Sequence, residues 1–290
     1  INSGGTTDMT LAGGATINLD ASEVTAFIAD EAANRLTITN QVITVTGAIT
    51  VDNSNLLAAV TSGKLTATIA TTETVTELAT LSADGGTNDL TIVIRGADAT
   101  AATAAQLNTI NDATALAVDL SNVTGLAGSS LSDLGTLATA ITNNQFSNDT
   151  GITTIAVTDT TIDATTLLAR IDSYDTINSG GTTDMTLASG ATINLDASEI
   201  TDMLADETAN RLTISDQAIT VTGAITVDNS NLLAAVTSGK LTATIATTET
   251  VTELATLNAD GGTNDLTIVI SGNDATSATA AQLIAINAAT

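Results

Sequence analysis

The chain has 290 residues, of which 32 are acidic and 6 are basic, so its formal charge is −26 at pH 7. A surface this acidic argues against binding nucleic acid through phosphate contacts and against attraction to an anionic membrane. Because the sequence has neither His nor Cys, it excludes Ser-His-Asp and Cys-His catalysis, and we expect no enzyme.

The apolar residues of the chain are small and similar in size. They make up 43% of the sequence and are mainly Ala, Val, Ile and Leu, while the aromatic residues are only Phe27, Phe146 and Tyr174. Such side chains suit a narrow core in which each layer resembles the next. No apolar run approaches the ~20 residues that span a bilayer, so we expect no membrane insertion.

The sequence contains a long tandem repeat. Residues 1–114 recur at 177–290 with 16 differences. The chain therefore divides into a first period, 1–176, and a partial second period, 177–290, as expected of a window on a longer repetitive protein or of one subunit of a polymer. This regularity predicts one continuous array of repeat units.

The first predicted unit is TINLDASEVTAFIA, residues 16–29, in which an alternating strand leads into a short helix. Asp20 is the predicted N-cap, with Glu23 at the capping-box position. The residues predicted to face the core are Val24, Phe27 and Ile28. The second period replaces them with Ile200, Met203 and Leu204. These apolar exchanges are of the kind that a core tolerates.

The same strand-then-helix pattern recurs along the first period. In ITVDNSNLLAAV the helix is predicted to follow Asp52 and to end near Gly63, and in TTIDATTLLARI it follows Asp163. Weaker versions begin at Thr71, Asp98 and Ser130. These segments give about six units per period, of roughly 29 residues each. The predicted helix caps are Asp20, Asp52, Asp98, Asp163, Asp196, Asp228 and Asp274.

The predicted strands are rich in Thr, Ile and Val, as in LTATIA at Leu65 and LTIVI at Leu90. A single unit cannot bury its apolar face, whereas stacked units can. Because successive strands are joined through a helix or a turn, the sheet is predicted to be parallel and the winding right-handed. The predicted fold is an α/β solenoid of stacked strand-helix units, with a parallel β-sheet and short capped helices.

Two Gly-Gly loops, NSGGTTD at Asn2 and ADGGTND at Ala83, occur in both periods. They resemble the calcium-binding nonapeptide GGxGxDxUx of RTX-type secreted proteins in the paired Gly, the later Asp and the apolar residue that follows. The third Gly is replaced by Thr or Asn, and the Asp falls one place early. The candidate calcium ligands are Asp84, Asn88, Asp89, Asp260, Asn264 and Asp265. The alternative interpretation is a Gly-permitted turn closed by Asx hydrogen bonds.

Thr-x-Thr triplets at 37–39 and 44–46 suggest a further hypothesis, ice binding by a flat Thr ladder, as in some Thr-rich solenoids. Any solvent-facing strand in a Thr-rich chain has such triplets. Many parallel β-solenoids cleave polysaccharides with paired carboxylates, but their clefts usually stack sugar rings on aromatic side chains, which are nearly missing here. We therefore expect the Asp residues to cap helices and form turns.

As a whole, the chain resembles the very large, acidic, Thr- and Asp-rich tandem-repeat proteins that bacteria, including cyanobacteria, secrete to their surfaces as adhesins, stalks, sheath components or filaments. The resemblance covers all 290 residues through composition and repeat style. It implies an extracellular or cell-surface location, type I export and dependence on calcium. We expect a structural protein, the body of a filament, stalk, sheath or surface layer, that self-associates along its axis or with neighbouring copies. The alternative is a calcium-dependent adhesin, or another solenoid that binds glycan or ice.

Overall fold

The computed structural model describes residues 8–84, 87–178, 181–258, 263–272 and 274–290. Over these ranges strands and helices alternate, and the assigned strand pairs are parallel, so the fold is α/β with several parallel sheets. The strands are β1 Met9–Thr10, β2 Thr16–Asp20, β3 Leu36–Thr37, β4 Val42–Ile49, β5 Leu65–Ile69, β6 Asp89–Thr91, β7 Val118–Asp119, β8 Gly125–Ser129, β9 Phe146–Ser147, β10 Thr154–Val157, β11 Thr161–Asp163, β12 Asp184–Thr186, β13 Thr192–Asp196, β14 Leu212–Thr213, β15 Ala218–Ile225, β16 Leu241–Ile245 and β17 Asp265–Thr267. The helices are α1 Val24–Ala32, α2 Val51–Val60, α3 Val75–Leu78, α4 Ala104–Asn111, α5 Leu131–Thr142, α6 Ala164–Ile177, α7 Ile200–Thr208, α8 Val227–Val236, α9 Val251–Leu254, α10 Asp274–Ser277 and α11 Ala280–Asn287, with 3₁₀ helices at Ala21–Glu23 and Gly96–Asp98.

The chain forms two compact units. Unit 1 comprises Ile1–Ala127 and Ser132–Ile152, and unit 2 comprises Gly128–Leu131 and Thr153–Thr290. This division differs from the boundary of the sequence periods, which follows residue 176 near the end of α6. The periods therefore describe how the sequence repeats, and the units describe where the contacts of the chain are concentrated.

Unit 1 contains a four-stranded sheet in the order β2-β4-β5-β6, and two-stranded pairs β1-β3 and β7-β9. In the four-stranded sheet Ile17 pairs with Ile43, and Ile43 pairs with Leu65. Ile43 and Leu65 are fully buried, and Leu90 on β6 is 2% exposed. The apolar side of each strand thus lies against the same side of its neighbour, as alternation predicts.

Unit 2 contains a five-stranded sheet in the order β11-β13-β15-β16-β17, and β12 pairs with both β10 and β14. Ile193 pairs with Ile219, and Ile219 pairs with Leu241. These registers are those of the corresponding residues in unit 1, 176 positions earlier. The same sequence therefore selects the same pairing in both units.

Three of the predicted Asp caps, Asp20, Asp163 and Asp196, make the expected bonds. The Asp20 carboxylate accepts from the Ser22 N–H at 2.9 Å, and Glu23 accepts from the Asp20 N–H at 2.8 Å, which completes a capping box at the 3₁₀ helix before α1. Asp196 makes the corresponding bonds before α7. Hydrogen bonds from Ser22 and Ser198 lower the pKa of Asp20 and Asp196, respectively.

Asp163 is the N-cap of α6, and its carboxylate accepts from the Thr166 N–H at 2.9 Å. Asp52 and Asp228 are not caps, because α2 and α8 begin one residue before them. The cap of α2 is Thr50, whose backbone is extended and whose hydroxyl accepts from a first-turn N–H at 3.2 Å. Asp52 therefore lies in the first turn, where the helix dipole favours a carboxylate.

Asp98 and Asp274 are also not the caps of the helices that follow them. Asp98 ends the 3₁₀ helix Gly96–Asp98, and Asp274 is the first residue of α10. The caps of α4 and α11 are Thr103 and Thr279, each in a capping box with the Gln three residues on. Thr103 and Thr279 directly precede the first residue of their helices, whereas Asp98 and Asp274 lie six residues before it, too far to act as the cap.

Gly63 does not end α2 in a left-handed conformation. The helix ends at Val60 with Thr61 as its C-cap, and Gly63 has no positive φ. A Cβ atom added to Gly63 would instead lie 2.3 Å from the carbonyl oxygen of Gln41. Gly is needed here because two backbone segments approach each other closely.

The helix face predicted to be buried is only partly buried in unit 1. Val24 is fully buried, whereas Phe27 is half-buried on α1. In unit 2 the corresponding Met203 on α7 is fully buried, and α6 packs beside α7. Burial therefore depends on the neighbouring helix as well as on the helical spacing.

No helix within the described ranges is long and apolar enough to cross a membrane.

Candidate functional site

In the Gly-Gly loop at Ala83, the Asp before the two Gly residues bonds to the two residues that follow them. The Asp84 carboxylate accepts from the Thr87 N–H at 3.1 Å and from the Asn88 N–H at 2.6 Å, and the Thr87 hydroxyl donates to the Asp84 carbonyl at 2.9 Å. These are the Asx bonds of the alternative interpretation of this loop.

The other two candidate ligands of this loop bond to the neighbouring strand. The Asn88 side-chain oxygen accepts from the buried Leu65 N–H at 2.7 Å, and Asp89 forms an ion pair with Lys64. A calcium ion at this loop would have to compete with the Leu65 N–H and with the Lys64 ammonium group for these oxygen atoms. The geometry indicates that these two side chains link two neighbouring strands.

The second period has the same arrangement where the structure describes it. Asn264 accepts from the Leu241 N–H at 2.9 Å, and Lys240 lies 3.1 Å from Asp265. Asp260 lies outside the described residues. Within the described ranges, no three or more carboxylate groups are clustered so that they could hold a metal ion. Calcium binding at these loops stays a prediction.

A pocket of about 210 Å³ lies beside the Gly-Gly loop at Ala83. Its polar lining includes Ser62, Ser82, Asp84 and Thr87. A pocket of this size and polarity suits water or a small polar ligand. This pocket favours ligand binding beside Asp84.

Buried polar side chains link segments that are distant in sequence, and local spacing did not predict them. Gln41 is fully buried. Its side-chain oxygen accepts from the N–H groups of Thr39 and Asn40 at 2.7 and 3.1 Å, and its amide donates to the carbonyls of Leu11 and Ala12 at 3.3 and 3.1 Å. Gln217 makes the same four bonds in unit 2.

Three further side chains in unit 1 form such links: Asn88, Asp98 and Thr114. Asn88 bonds to Leu65, Thr114 accepts from the Leu90 N–H at 2.9 Å, and Asp98 accepts from the Val75 N–H at 2.8 Å. The partners are 23 or 24 residues apart. Polar residues at this spacing, next to predicted strands, are the sequence signal that would have identified these links.

The Asp98 carboxylate combines burial with two kinds of donor. Burial by itself raises its pKa, but hydrogen bonds from Arg95, at 2.8 Å, and from the Val75 N–H outweigh that effect, so the pKa is lowered. In unit 2 Asp274 keeps the bond to the Val251 N–H at 3.2 Å, but Ser271 replaces the Arg. The Arg95–Asp98 ion pair of unit 1 therefore has no counterpart at Asp274.

We expect Arg95→Ser to lower the free energy of unfolding at pH 7 by about 1 kcal/mol, because Asp98 loses a charge-assisted hydrogen bond whose donor is partly exposed. A carboxyl group with a lowered pKa stabilises the fold above its unfolded pKa and loses that contribution as the pH falls through its folded pKa. The loss caused by Arg95→Ser should therefore shrink below about pH 4. Urea denaturation at several pH values measures this, and a loss that does not change with pH would contradict it.

A second charged cluster surrounds Arg211 in unit 2. Its guanidinium group lies 2.6 Å from Asp175 and also pairs with Asp206. Burial raises the pKa of Asp206, and Asp172 and Asp175 add to this, while Arg211 opposes it. Because the pKa is raised, this carboxyl group stabilises the fold most at low pH and less as the pH rises through its folded value. The cluster joins α6 to α7.

The Thr-x-Thr triplets do not lie on one sheet. Thr37 is on β3 and pairs with Thr10, whereas Thr44 is on β4 and pairs with Asn18 and Thr66. The row that contains Thr44 continues from Thr66 to Asp89. A row of Asn, Thr, Thr and Asp is less regular than the flat Thr ladder of the ice-binding hypothesis.

Sequence and structure comparisons add no relative to these observations: no family model, no curated protein and no solved structure matches the chain.

Proposed function

We propose that the chain is a structural, non-catalytic repeat protein that forms the body of an extracellular filament, stalk, sheath or surface layer. In this proposal its strand-helix units stack as a right-handed α/β solenoid. The observation that carries it is the buried Gln41, whose four hydrogen bonds to the preceding and adjacent segments recur at Gln217. A residue that joins successive segments in both units is the kind of link that a stack of similar units requires.

The chemistry of the carboxylates supports a structural role. Asp84, Asp98 and Asp163 each accept hydrogen bonds from backbone N–H groups, and Asp89 pairs with Lys64. Such carboxylates close turns, begin helices and link strands, whereas hydrolysis of a glycosidic bond needs two facing acids. The acidic surface would keep a long rod soluble.

The proposed location is extracellular or at the cell surface, and the proposed partners are further copies of the chain. The absence of Cys from the sequence suits an oxidising medium, because the fold then needs no redox control. The resemblance to large Thr- and Asp-rich bacterial surface proteins, including RTX-type adhesins, points in the same direction.

Electron microscopy of the purified protein, with and without a calcium chelator, tests this proposal. We expect filaments that survive chelation, because the described links between segments are hydrogen bonds, ion pairs and apolar contacts within the protein. Their axial repeat should correspond to one copy of the chain. Compact single particles in both conditions would contradict the filament role.

A calcium-dependent adhesin is the second candidate function. The pocket beside Asp84, with its Ser and Thr lining, is the observation that favours it. In that case the Gly-Gly loops would hold calcium, and the surface would bind glycan or ice. Filaments or particles that lose their structure on chelation, and regain it when calcium is restored, would favour this candidate over the first.

A further inference from the structure

An apolar groove lies between α7 and α8 in unit 2, and it is open to solvent along its length. Its volume is about 550 Å³. The apolar residues that line it are Leu204, Ala205, Ala209, Leu232, Ala235 and Val236. Leu232 is 52% exposed. A contiguous apolar surface of this kind on a soluble protein marks a site of contact with another molecule.

The groove has neighbouring helices on both sides. α6 packs beside α7, and α9 follows α8. The corresponding helices of unit 1, α1 and α2, repeat the apolar pattern: Ile28 corresponds to Leu204, and Leu56 corresponds to Leu232 and is 48% exposed. The exposed Leu is therefore a property of this helix pair in both units.

The electrostatic character of the groove is negative. Glu207 is the charged residue among those that line it. The lining also includes the last residues of both helices, which end at Thr208 and Val236. The C-terminal end of a helix carries partial negative charge and favours a cation. A partner with Lys or Arg beside its apolar side chains therefore complements this surface.

The chain itself does not supply that positive charge. It has six basic residues, and Arg170 donates to the Leu131 carbonyl at 3.1 Å. The other five form ion pairs within the protein: Arg35, Lys64, Arg95, Arg211 and Lys240. No described helix contains two basic residues. A second copy of the chain, with its formal charge of −26, would be repelled from the groove.

We propose that the groove between α7 and α8 binds an amphipathic, basic helix of another protein. The apolar stripe of that helix, at positions i, i+3, i+4 and i+7, lies along α7 from Thr201 to Ala209, which is about two turns. Its Lys and Arg side chains lie near Glu207 and the two helix ends. This interaction goes beyond the proposed filament role, because a single copy of the chain carries the groove.

Isothermal titration calorimetry of the full chain with synthetic peptides tests this proposal. The probe is an amphipathic peptide of about 14 residues, or four helical turns, with Leu on one face and Lys at the other positions. A second peptide has the same composition in an order that gives no helical stripe. It measures the general attraction of a cation to an acidic chain. A third peptide keeps the Leu stripe and replaces each Lys with Glu.

Two variants locate the contact. The double variant Leu56→Ser with Leu232→Ser removes the exposed Leu from both helix pairs and leaves the net charge unchanged. Leu116→Ser is the matched control, because Leu116 is 40% exposed and lies outside the lining of the groove. All three side chains are exposed, so their replacement should leave the fold intact. Circular dichroism checks that each variant is folded.

We expect the parent chain and Leu116→Ser to bind the basic striped peptide at least about tenfold more tightly than either of the other two peptides. The double variant should bind the striped peptide at least about tenfold more weakly than the parent chain, because the apolar surface that is buried on binding is smaller.

Equal binding of the striped and reordered peptides would overturn the proposal, since general charge attraction would then account for both. Equal binding of the basic and acidic striped peptides would overturn the basic character of the partner. Binding that the double variant does not weaken would place the contact elsewhere. Self-association of the parent chain that the double variant abolishes would assign the groove to a second copy and refute the proposed partner. These measurements do not depend on filaments, which microscopy tests independently.

Discussion

Gln41→Leu is expected to lower the free energy of unfolding by about 3 kcal/mol or more. The substitution places an apolar side chain of similar size in a fully buried position. It leaves the N–H groups of Thr39 and Asn40 and the carbonyls of Leu11 and Ala12 without the side-chain partners that they have. Each lost hydrogen bond costs about 0.5–1.5 kcal/mol, and water recovers part of the total where the partner groups reach the surface.

Urea denaturation measures the loss, and amide hydrogen exchange locates it. Exchange at Thr39 and Asn40 should accelerate more than exchange at the strand residues of β5. Gln217→Leu should produce a similar loss in unit 2, because Gln217 makes the same four bonds. The control is Gln145→Leu at an exposed position, which should change stability by less than about 0.5 kcal/mol. Equal effects at Gln41 and Gln145 would refute the role assigned to the buried amide.

Gly63→Ala is expected to destabilise unit 1 by about 2–3 kcal/mol. The new Cβ atom would lie 2.3 Å from the Gln41 carbonyl oxygen, 2.6 Å from the Gln41 carbonyl carbon and 2.8 Å from the Asn40 carbonyl oxygen. All three are backbone atoms, so no side-chain rotation relieves the overlap, and the chain itself must move. Overpacking of this kind typically costs 1–3 kcal/mol.

Gly96→Ala is the matched control for Gly63→Ala. Gly96 has no positive φ, and the nearest atom to an added Cβ is the Asn122 side-chain oxygen at 4.0 Å. This substitution should be neutral or slightly stabilising, because Ala restricts the unfolded chain more than Gly does. Thermal denaturation of both variants gives the comparison. If Gly63→Ala melts at the temperature of Gly96→Ala, the close approach of the two backbones is not rigid.

Gln41 and Gly63 lie in the same contact, so their effects should not add. Thr61 donates its hydroxyl to the Gln41 carbonyl at 2.6 Å, and the Gly63 N–H donates to that hydroxyl at 2.9 Å. A substitution at either position shifts the segment that the other needs. The double variant should therefore lose less stability than the two single losses combined.

The sequence predicted those helix caps that bond only to residues close by in the chain. Asp20 and Asp163 bond to N–H groups two or three residues away, and such bonds depend on few residues. The local pattern wrongly predicted Asp52 as the cap of α2, because the hydroxyl of Thr50 has that role. It also missed the roles of Asp98 and Asn88, whose partners lie 23 residues away. Spacing along one helix or one strand contains no information about such partners.

The Gly-Gly loop at Ala83 also has partners that the local sequence does not predict. The paired Gly and the later Asp are compatible with either a turn or a metal site, since both need oxygen atoms in a tight loop. The structure assigns the Asp84 oxygen atoms to N–H groups and brings Lys64 to Asp89. Lys64 is remote from Asp89 in sequence, so only the parallel pairing of β5 with β6 reveals that the two charges meet.

By itself, the sequence determined the alternation of strand and helix, the parallel pairing of strands and the repetition of apolar positions. These follow from hydrophobic periodicity and short connections, which act over a few residues. Only the tertiary structure decided which polar groups are buried and why Gly63 must be Gly. Each of these depends on atoms that approach from 20 or more residues away. In an α/β chain of nearly uniform small side chains, long-range hydrogen bonds distinguish positions that the local pattern makes look alike.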